Sequence, residues 1–332
     1  MIESDRAEEI EAETEKRLRR VALIENPASG SVTVRRKRVV RTAMAALEGA
    51  GIEVEHVVLN GPGSGGGLAR EAIDRGCDAI LVCGGDGTVH EVLQSMVGTG
   101  VALGVLPLGT ANALAADLGL SGSPEKAIRA LIEAVPVQVP VGRITYCAED
   151  GSEESHYFTV AAGVGPDALL MARMDPVLKR RLGYVLYLIE ACRIWARHAF
   201  PLFEARVAEA HGGVRSVRAS QILAVRIRSF GGVLGTLAPG ATLHSPELSL
   251  VAFKTRSRLR YLRFLLAVMA GRHTFSEEVE LINTSSVECF ADPQSREPLY
   301  VEADGEVLGH APVRMEMTGE KLTLLVPLNA RP

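Results

Sequence analysis

Between Val21 and Leu118, short apolar runs alternate with helical stretches, and each run stops at a cluster of Gly, Asn, Pro or Thr. VALIE (21–25) ends at Asn26-Pro27, and EVEHVVL (53–59) runs into the glycine-rich segment Gly61 to Gly67. AILVC (79–83) ends at Gly84-Gly85-Asp86-Gly87, and ALGVLPLG (102–109) ends at Thr110. Helical segments are predicted at about 35–49, from the glycine-rich stretch to 75, at 88–97 and at 111–118. Strands alternating with helices predict a parallel, doubly wound, Rossmann-like α/β sheet whose ligand sits at the carboxyl ends of the strands. The Gly, Asn and Thr residues fall at those ends.

After about Pro140 the texture changes to short β-rich runs: VPVGRITY, HYFTVAAGVG, FEARVAEA, SVRASQILAVRIR, ELSLVAFKT, LYVEADGEVL, VRMEMT and KLTLLVPL. They predict a mostly antiparallel β-sandwich interrupted by helices near 176–198 and 259–270. The chain thus reads as a polar extension over 1–20, an α/β domain over 21–140 and a β-rich domain over 141–327, whose last strand is free to return to the first. A net charge of −4 gives no global pull toward nucleic acid, so any anionic partner must meet a local patch. Five widely spaced cysteines without a CxxC or zinc spacing read as reduced structural thiols. The charged start MIESDRAEEIEAETEKRLRR does not read as a signal peptide. The apolar stretches 184–191 and 264–270 are far shorter than the roughly 20 residues that span a bilayer.

Three loops follow predicted strands: NPASG (26–30), GGDGT (84–88) and PLGTAN (107–112). Their glycines allow close backbone approach, and the helix starts behind them offer N–H groups to anionic oxygens. Thr88 and Thr110 can cap those helices or bond a phosphate. A single loop of this kind is an ordinary strand-to-helix turn; three along one edge make a phosphate-binding crevice. GxxxxGK[ST] is absent, and no GxGxxG follows the first strand, so neither familiar nucleotide loop applies. Asp86 is the anomaly, a carboxylate where a phosphate should sit, unless Mg²⁺ turns the repulsion into attraction.

Asn26-Pro27-Ala28-Ser29-Gly30, Gly84-Gly85-Asp86-Gly87-Thr88 with His90-Glu91, and Pro107-Leu108-Gly109-Thr110-Ala111-Asn112-Ala113 match in order and spacing the catalytic domain of the diacylglycerol kinase and sphingosine kinase superfamily. The chain most resembles the bacterial soluble lipid kinases. The likeness continues through Ala161 to Ala168, Leu182-Gly183-Tyr184 and Asp304-Gly305-Glu306. GGDGT alone is shared with NAD kinases. The resemblance implies ATP held by Asn26, Pro27, Ala28, Ser29 and Gly30, by Gly84, Gly85, Asp86, Gly87, Thr88, Val89 and His90, and by Thr110 and Asn112. Asn60 falls near a threonine that the family places at the nucleotide. Glu306 would accept the proton of the lipid hydroxyl, and Asp304 would bind magnesium or orient that hydroxyl. Asp86 would serve the catalytic Mg²⁺. Asp167 matches an acidic position that contacts the head group in sphingosine kinases. One departure is Leu243-His244-Ser245-Pro246-Glu247-Leu248, where the family has an Asp-Asp-Gly turn associated with an accessory magnesium.

The chemistry agrees with these roles. Attack of an alcohol on the γ-phosphate needs in-line positioning, Mg²⁺ and a carboxylate base. Asp86 and Glu306, in different domains, would have to meet across an interdomain cleft. Asp-Gly between β-runs is also a strong hairpin signal, so Asp304-Gly305 reads equally as a turn.

Lys254 to Arg272 carries six basic residues and no acid. On a helix Arg256, Arg260 and Arg263 form one stripe, and Leu259, Leu262, Leu266 and Met269 share another face. That pattern suits an anionic membrane surface and suits a core helix with a solvated edge equally well. The helix near 176–198 carries Lys179-Arg180-Arg181 at its start and then a largely apolar stretch from Tyr184 to Trp195, the single tryptophan. Taken together, the residues and the resemblance predict a cytoplasmic, transiently membrane-associated, ATP- and Mg²⁺-dependent kinase of a membrane lipid, most simply diacylglycerol. A sphingoid base or phosphatidylglycerol is the alternative acceptor. NAD kinase and a non-catalytic nucleotide-binding regulator are the rival readings, and a homodimer stays open.

Overall fold

The computed structural model describes residues 18–29, 33–174, 184–209, 211–230, 235–270, 272, 278–295 and 297–330; most of the polar extension, Gly30 and the segment 175–183 with its basic and Leu-Gly motifs lie outside them. The chain divides into two units. One holds the residues up to Leu108, Leu118–Val139 and the segment from Leu322; the other holds Gly109–Asp117 and Pro140–Lys321.

The first unit is built on β1 (Arg20–Glu25), β2 (Glu53–Val58), β3 (Ala79–Gly84) and β4 (Ala102–Pro107). All pair in parallel, in the order β2-β1-β3-β4, with Val21 of β1 opposite Val54 on one side and Ala79 on the other. Parallel strands covered on both faces must be apolar throughout, and Val21 to Ile24 and all of β3 are buried. The helices are α1 (Thr33–Gly49), α2 (Gly65–Asp74), α3 (Asp86–Leu93) and α5 (Pro124–Ile132); α4 (Ala113–Asp117) belongs to the second unit. In α1 the buried Val39, Val40, Ala43 and Leu47 recur at helical spacing on one face. The sequence pattern did not predict α5. Ser123 caps it by accepting from the Lys126 N–H at 3.2 Å, and Pro124 occupies the first turn, where it loses no hydrogen bond.

The second unit is antiparallel. It comprises β5 (Val135–Cys147), which starts in the first unit, β6 (Glu153–Phe158), β7 (Ala161–Val164), α6 (Pro166–Ala172), α7 (Tyr184–Arg197), β8 (Phe203–Ala208), β9 (Val214–Ala219), β10 (Gln221–Val225), β11 (Leu248–Phe253), α8 (Arg258–Met269), β12 (Val279–Thr284), β13 (Ser286–Phe290), β14 (Tyr300–Ala303) and β15 (Glu306–Val326). The strand path is β12-β11-β10-β7-β14-β15, with β13, β8 and β9 continuing from β15, and β5 joining β15 to β6. One core gathers Phe158, Val164, Ile222, Leu250, Val287 and Met315. A second core docks α8, where Tyr261 stacks on Phe253 at 4.5 Å between centroids and Phe264 meets the same ring edge-on at 5.1 Å. All six residues of β11 are buried because Leu248, Leu250 and Ala252 face one core and Val251 and Phe253 the other.

Several expectations change. The run HYFTVAAGVG is two strands, and Pro166–Ala172 is helical, because Gly165 at φ 120° ends β7 and Pro166 suits a helix start. β12 and β13 were not foreseen. The separate runs VRMEMT and KLTLLVPL are parts of one strand, β15, which ends in the first unit, where its Thr323 and Leu324 pair in parallel with β4.

Where β15 passes β5, a Cβ on Gly309 would lie 2.3 Å from the Cys147 carbonyl oxygen. That atom is backbone and has no rotamer to escape to. Gly309→Ala therefore lowers the unfolding free energy by about 1–3 kcal/mol in denaturant titrations. Gly67→Ala in α2, with nothing within 4 Å of the added methyl, is neutral or slightly stabilising in the same measurement.

Candidate active site

Chain order reverses at β1, which lies between β2 and β3, and such a switch point leaves a crevice at the carboxyl ends of the strands. Asn26 spans it. Its N–H donates to the Cys83 carbonyl at 3.0 Å, and its Nδ2 donates to Thr88 Oγ1 at 2.7 Å. Its Oδ1 accepts from the Ala28 N–H at 2.8 Å, and its carbonyl accepts from Ser29. One amide side chain thus joins the NPAS turn to the GGDGT turn. The N–H of Leu108 donates to the Gly84 carbonyl at 3.0 Å, which pins the start of the third loop. A Cβ on Gly84 would lie 2.7 Å from that of Thr88, so glycine is required for this approach.

α3 begins two residues earlier than the pattern predicts, at Asp86, with Gly85 extended at its N-cap. Asp86 is partly exposed in the first turn, where unpaired N–H groups and the helix dipole favour a carboxylate. Gly85 and Gly87 are also partly exposed, whereas the side chains of Thr88, Val89 and His90 are buried. Pro27, Ala28 and Asn60 are exposed. Leu59 donates to the Glu25 carbonyl at 2.9 Å, which sets Asn60 at the same sheet edge as Asn26. Gly30 lies outside the described residues.

Sequence reasoning missed two supports of these turns. Glu25 and Arg36 are both buried; Arg36 Nε donates to Glu25 Oε1 at 2.9 Å, and Nη1 reaches the Ser29 carbonyl at 3.4 Å. His56 lies 3.0 Å from the other Glu25 oxygen. Glu91 accepts from the N–H groups of Gly63 at 2.9 Å and Gly65 at 3.0 Å, so those two amides of the glycine-rich segment are already engaged by the chain's own carboxylate.

In the second unit Thr110 is exposed. Asn112, at φ 51°, exchanges two 2.8 Å hydrogen bonds with the backbone of Gly109 and shapes that loop. Asp304 and Gly305, at φ 51° and 85°, form the two-residue turn between β14 and β15, with Ala303 opposite Glu306. The buried Asp304 carboxylate accepts from the N–H groups of Val160 at 2.8 Å, Thr159 at 3.1 Å and Ala161 at 3.2 Å, and from Thr159 Oγ1 at 3.4 Å. In the structure Asp304 holds the turn. Arg226, also buried, donates to the carbonyls of Pro140 at 2.7 Å and Leu243 at 2.8 Å, which anchors the loop that departs from the family pattern. Burial lowers its guanidinium to about 10, and the charge of Asp304 opposes that shift. Glu306 is exposed at the start of β15.

Glu302 was not foreseen. It is buried on β14 and accepts from the Gly305 N–H at 2.8 Å. A Cβ on Gly163 would lie 1.9 Å from Asp167 Oδ2 and 2.8 Å from Glu302 Oε1, so the two carboxylates converge on the space a glycine leaves. The buried oxygens of Asp167 have no well-aligned donor; Gln221 and the Ala168 N–H only moderate its desolvation. Burial pushes Asp167 up from 3.8 to about 6. Burial first, and then Asp167, raises Glu302 well above the usual glutamate range.

A carboxyl group raised on folding holds its proton longer in the native state. Its stabilising contribution is therefore complete below about pH 4 and is lost as pH rises through about 6. The difference in stability between wild type and Asp167→Asn follows that sign in thermal melts across pH, with the variant gaining about 3 kcal/mol at most above the upper value. An unchanged difference across this range would remove Asp167 from the buried pair.

The Diacylglycerol kinase catalytic domain family matches residues 20–144, and the YegS C-terminal NAD kinase beta sandwich-like domain family matches 159–326. A protein named diacylglycerol kinase from Mycobacterium tuberculosis is 28% identical over 316 residues, covering 93% of this chain and 95% of its own. One from Chromohalobacter salexigens, named "Probable lipid kinase YegS-like", is 29% identical over 299 residues, covering 87% and 88%. A crystal structure of a diacylglycerol kinase from Bacillus anthracis is 17% identical and shares the fold, with a TM-score of 0.69 over 96% of this chain and 100% of that one. The chain belongs to the diacylglycerol kinase and YegS family of lipid kinases, with that family's α/β domain followed by its β-sandwich.

Proposed function

We propose that the protein transfers the γ-phosphoryl group of ATP to a hydroxyl of a membrane lipid, diacylglycerol first among candidates, to yield the lipid phosphate and ADP. The observation that carries this reading is an exposed carboxylate, Glu306, directly after a turn that Asp304 tethers to buried backbone and that Glu302 braces through the Gly305 N–H. A base on a rigid hairpin meets the need for a positioned proton acceptor. The acceptor oxygen attacks γ-phosphorus, its proton passes to Glu306, and ADP leaves with the bond electrons.

The turns joined by Asn26, together with the start of α3, offer backbone N–H groups and the Thr88 region to the phosphates. Among the described residues no group of three or more His, Cys, Asp or Glu side chains could hold a metal ion alone. That fits Mg²⁺, which commonly takes one or two carboxylates and fills its octahedron with phosphates and water. Asp86 would be its protein ligand, and the ion would neutralise charge on the transferring group.

Purified protein supplied with labelled ATP, Mg²⁺ and mixed micelles labels diacylglycerol in preference to a sphingoid base, phosphatidylglycerol or NAD. Glu306→Gln lowers transfer by about 10² to 10⁴ while nucleotide binding persists. Labelling of NAD, or full activity in that variant, overturns the proposal. Tight ATP binding with no acceptor labelled favours a regulatory protein of the same fold.

A further inference from the structure

α8 has two apolar faces. Tyr261, Phe264 and Val268 are buried against β11 in the second unit. On its other side Leu259 is 72% exposed, Leu266 54% and Met269 55%, at spacings of seven and three residues that align them on one stripe. α7 repeats the pattern, with Leu186, Glu190 and Ile194 inward and Val185 at 54% and Leu188 at 50% outward. Val185, Leu188, Ile189 and Ala196 line a shallow groove of about 480 Å³ on that face. The helices are tied where α7 ends and α8 begins: the half-exposed Trp195 donates from Nε1 to the Arg258 carbonyl at 3.0 Å, and Arg258 Nη2 donates to the His198 carbonyl at 3.1 Å. A core-packing role accounts for the buried faces only.

The charge around these stripes is one-sided. Arg193, Arg197, Arg260 and Arg263 sit on the two helices, and Arg256 and Arg272 flank α8. The acid on α7, Glu190, pairs with Arg193, and Glu278 pairs with Arg260; Arg197 and Arg263 form no ion pair among the described residues. This local excess of positive charge stands on a chain of net charge −4. A second copy would bring arginines against arginines, whereas an anionic bilayer neutralises them as it buries the leucines.

We propose that the outward faces of α7 and α8 form the surface that docks on an anionic bilayer. Leu259, Leu266, Met269, Val185 and Leu188 enter the acyl boundary, and the arginines meet lipid phosphates. The purpose of this docking, reaching a lipid acceptor, rests on the lipid-kinase reading, but its measurement does not.

The full chain, without nucleotide, is mixed with phosphatidylglycerol-rich or phosphatidylcholine vesicles and sedimented. Wild type partitions onto the anionic vesicles, weakly onto the neutral ones, and less as salt rises. The double variant Leu259→Ser, Leu266→Ser loses at least about tenfold in partitioning, because each buried leucine side chain accounts for roughly that factor. Arg263→Glu reduces binding to anionic vesicles only. Both variants keep the wild-type melting temperature, since these side chains are exposed in the fold. Partitioning that the substitutions leave unchanged overturns the proposal. So does a wild-type dimer that the leucine substitutions dissociate without any vesicle binding. Vesicle binding with no lipid phosphorylated would sink the kinase reading and leave the docking surface standing.

Discussion

The tightest constraint in the second unit is one buried carboxylate with backbone partners. Asp304 takes the N–H groups of three consecutive residues, Thr159 to Ala161, and returns its own N–H to the Ala161 carbonyl at 2.8 Å. An ionised carboxylate is costly to bury unless donors meet it, and charge-assisted bonds to N–H groups are among the strong ones. The result is a turn that cannot slide along its neighbours. β7, β14 and β15 all begin or end there, and Glu306 emerges from it at a set place in the register. Glu302 secures the far side of the same turn through Gly305.

The first unit solves a similar problem with a neutral amide. The order β2-β1-β3-β4 opens the sheet edge between β1 and β3, and Asn26 bridges that opening to Thr88. Arg36, buried with Glu25, steadies the loop from behind. Asp86 no longer looks anomalous. It stands in the first turn of α3, where the helix itself favours a negative charge before any ion is considered.

Much of this was legible in the chain. β1, β3 and β4 and the turn residues at their ends follow from apolar runs of strand length, because a strand buried on both faces has no freedom to be polar, whereas the edge strand β2 is partly exposed and keeps Glu53, Glu55 and His56. The Asp304-Gly305 hairpin follows from the positive φ its two positions require. Residues whose roles depend on distant partners were not legible. Glu302 looks like one more acid in an acidic turn until Gly163 and Asp167, well over a hundred positions earlier, are seen beside it. Glu91 and Arg36 act on backbone N–H and carbonyl groups, which leave no mark in a side-chain pattern. α5 was missed although its Ser-Pro start is a standard helix signal, and β15 was read as separate runs because Gly319-Glu320 interrupts its apolar pattern.

The sequence by itself determined the fold class, the family and the loops that line a sheet edge, because local periodicity and spacing are properties of neighbouring residues. The tertiary structure alone decided which carboxylates are buried together, which backbone groups they hold, and that α7 and α8 each keep an apolar face outward. Those outcomes depend on how much of each side chain packing leaves exposed, and a helix that reads equally as core or as surface is resolved only by what lies against it.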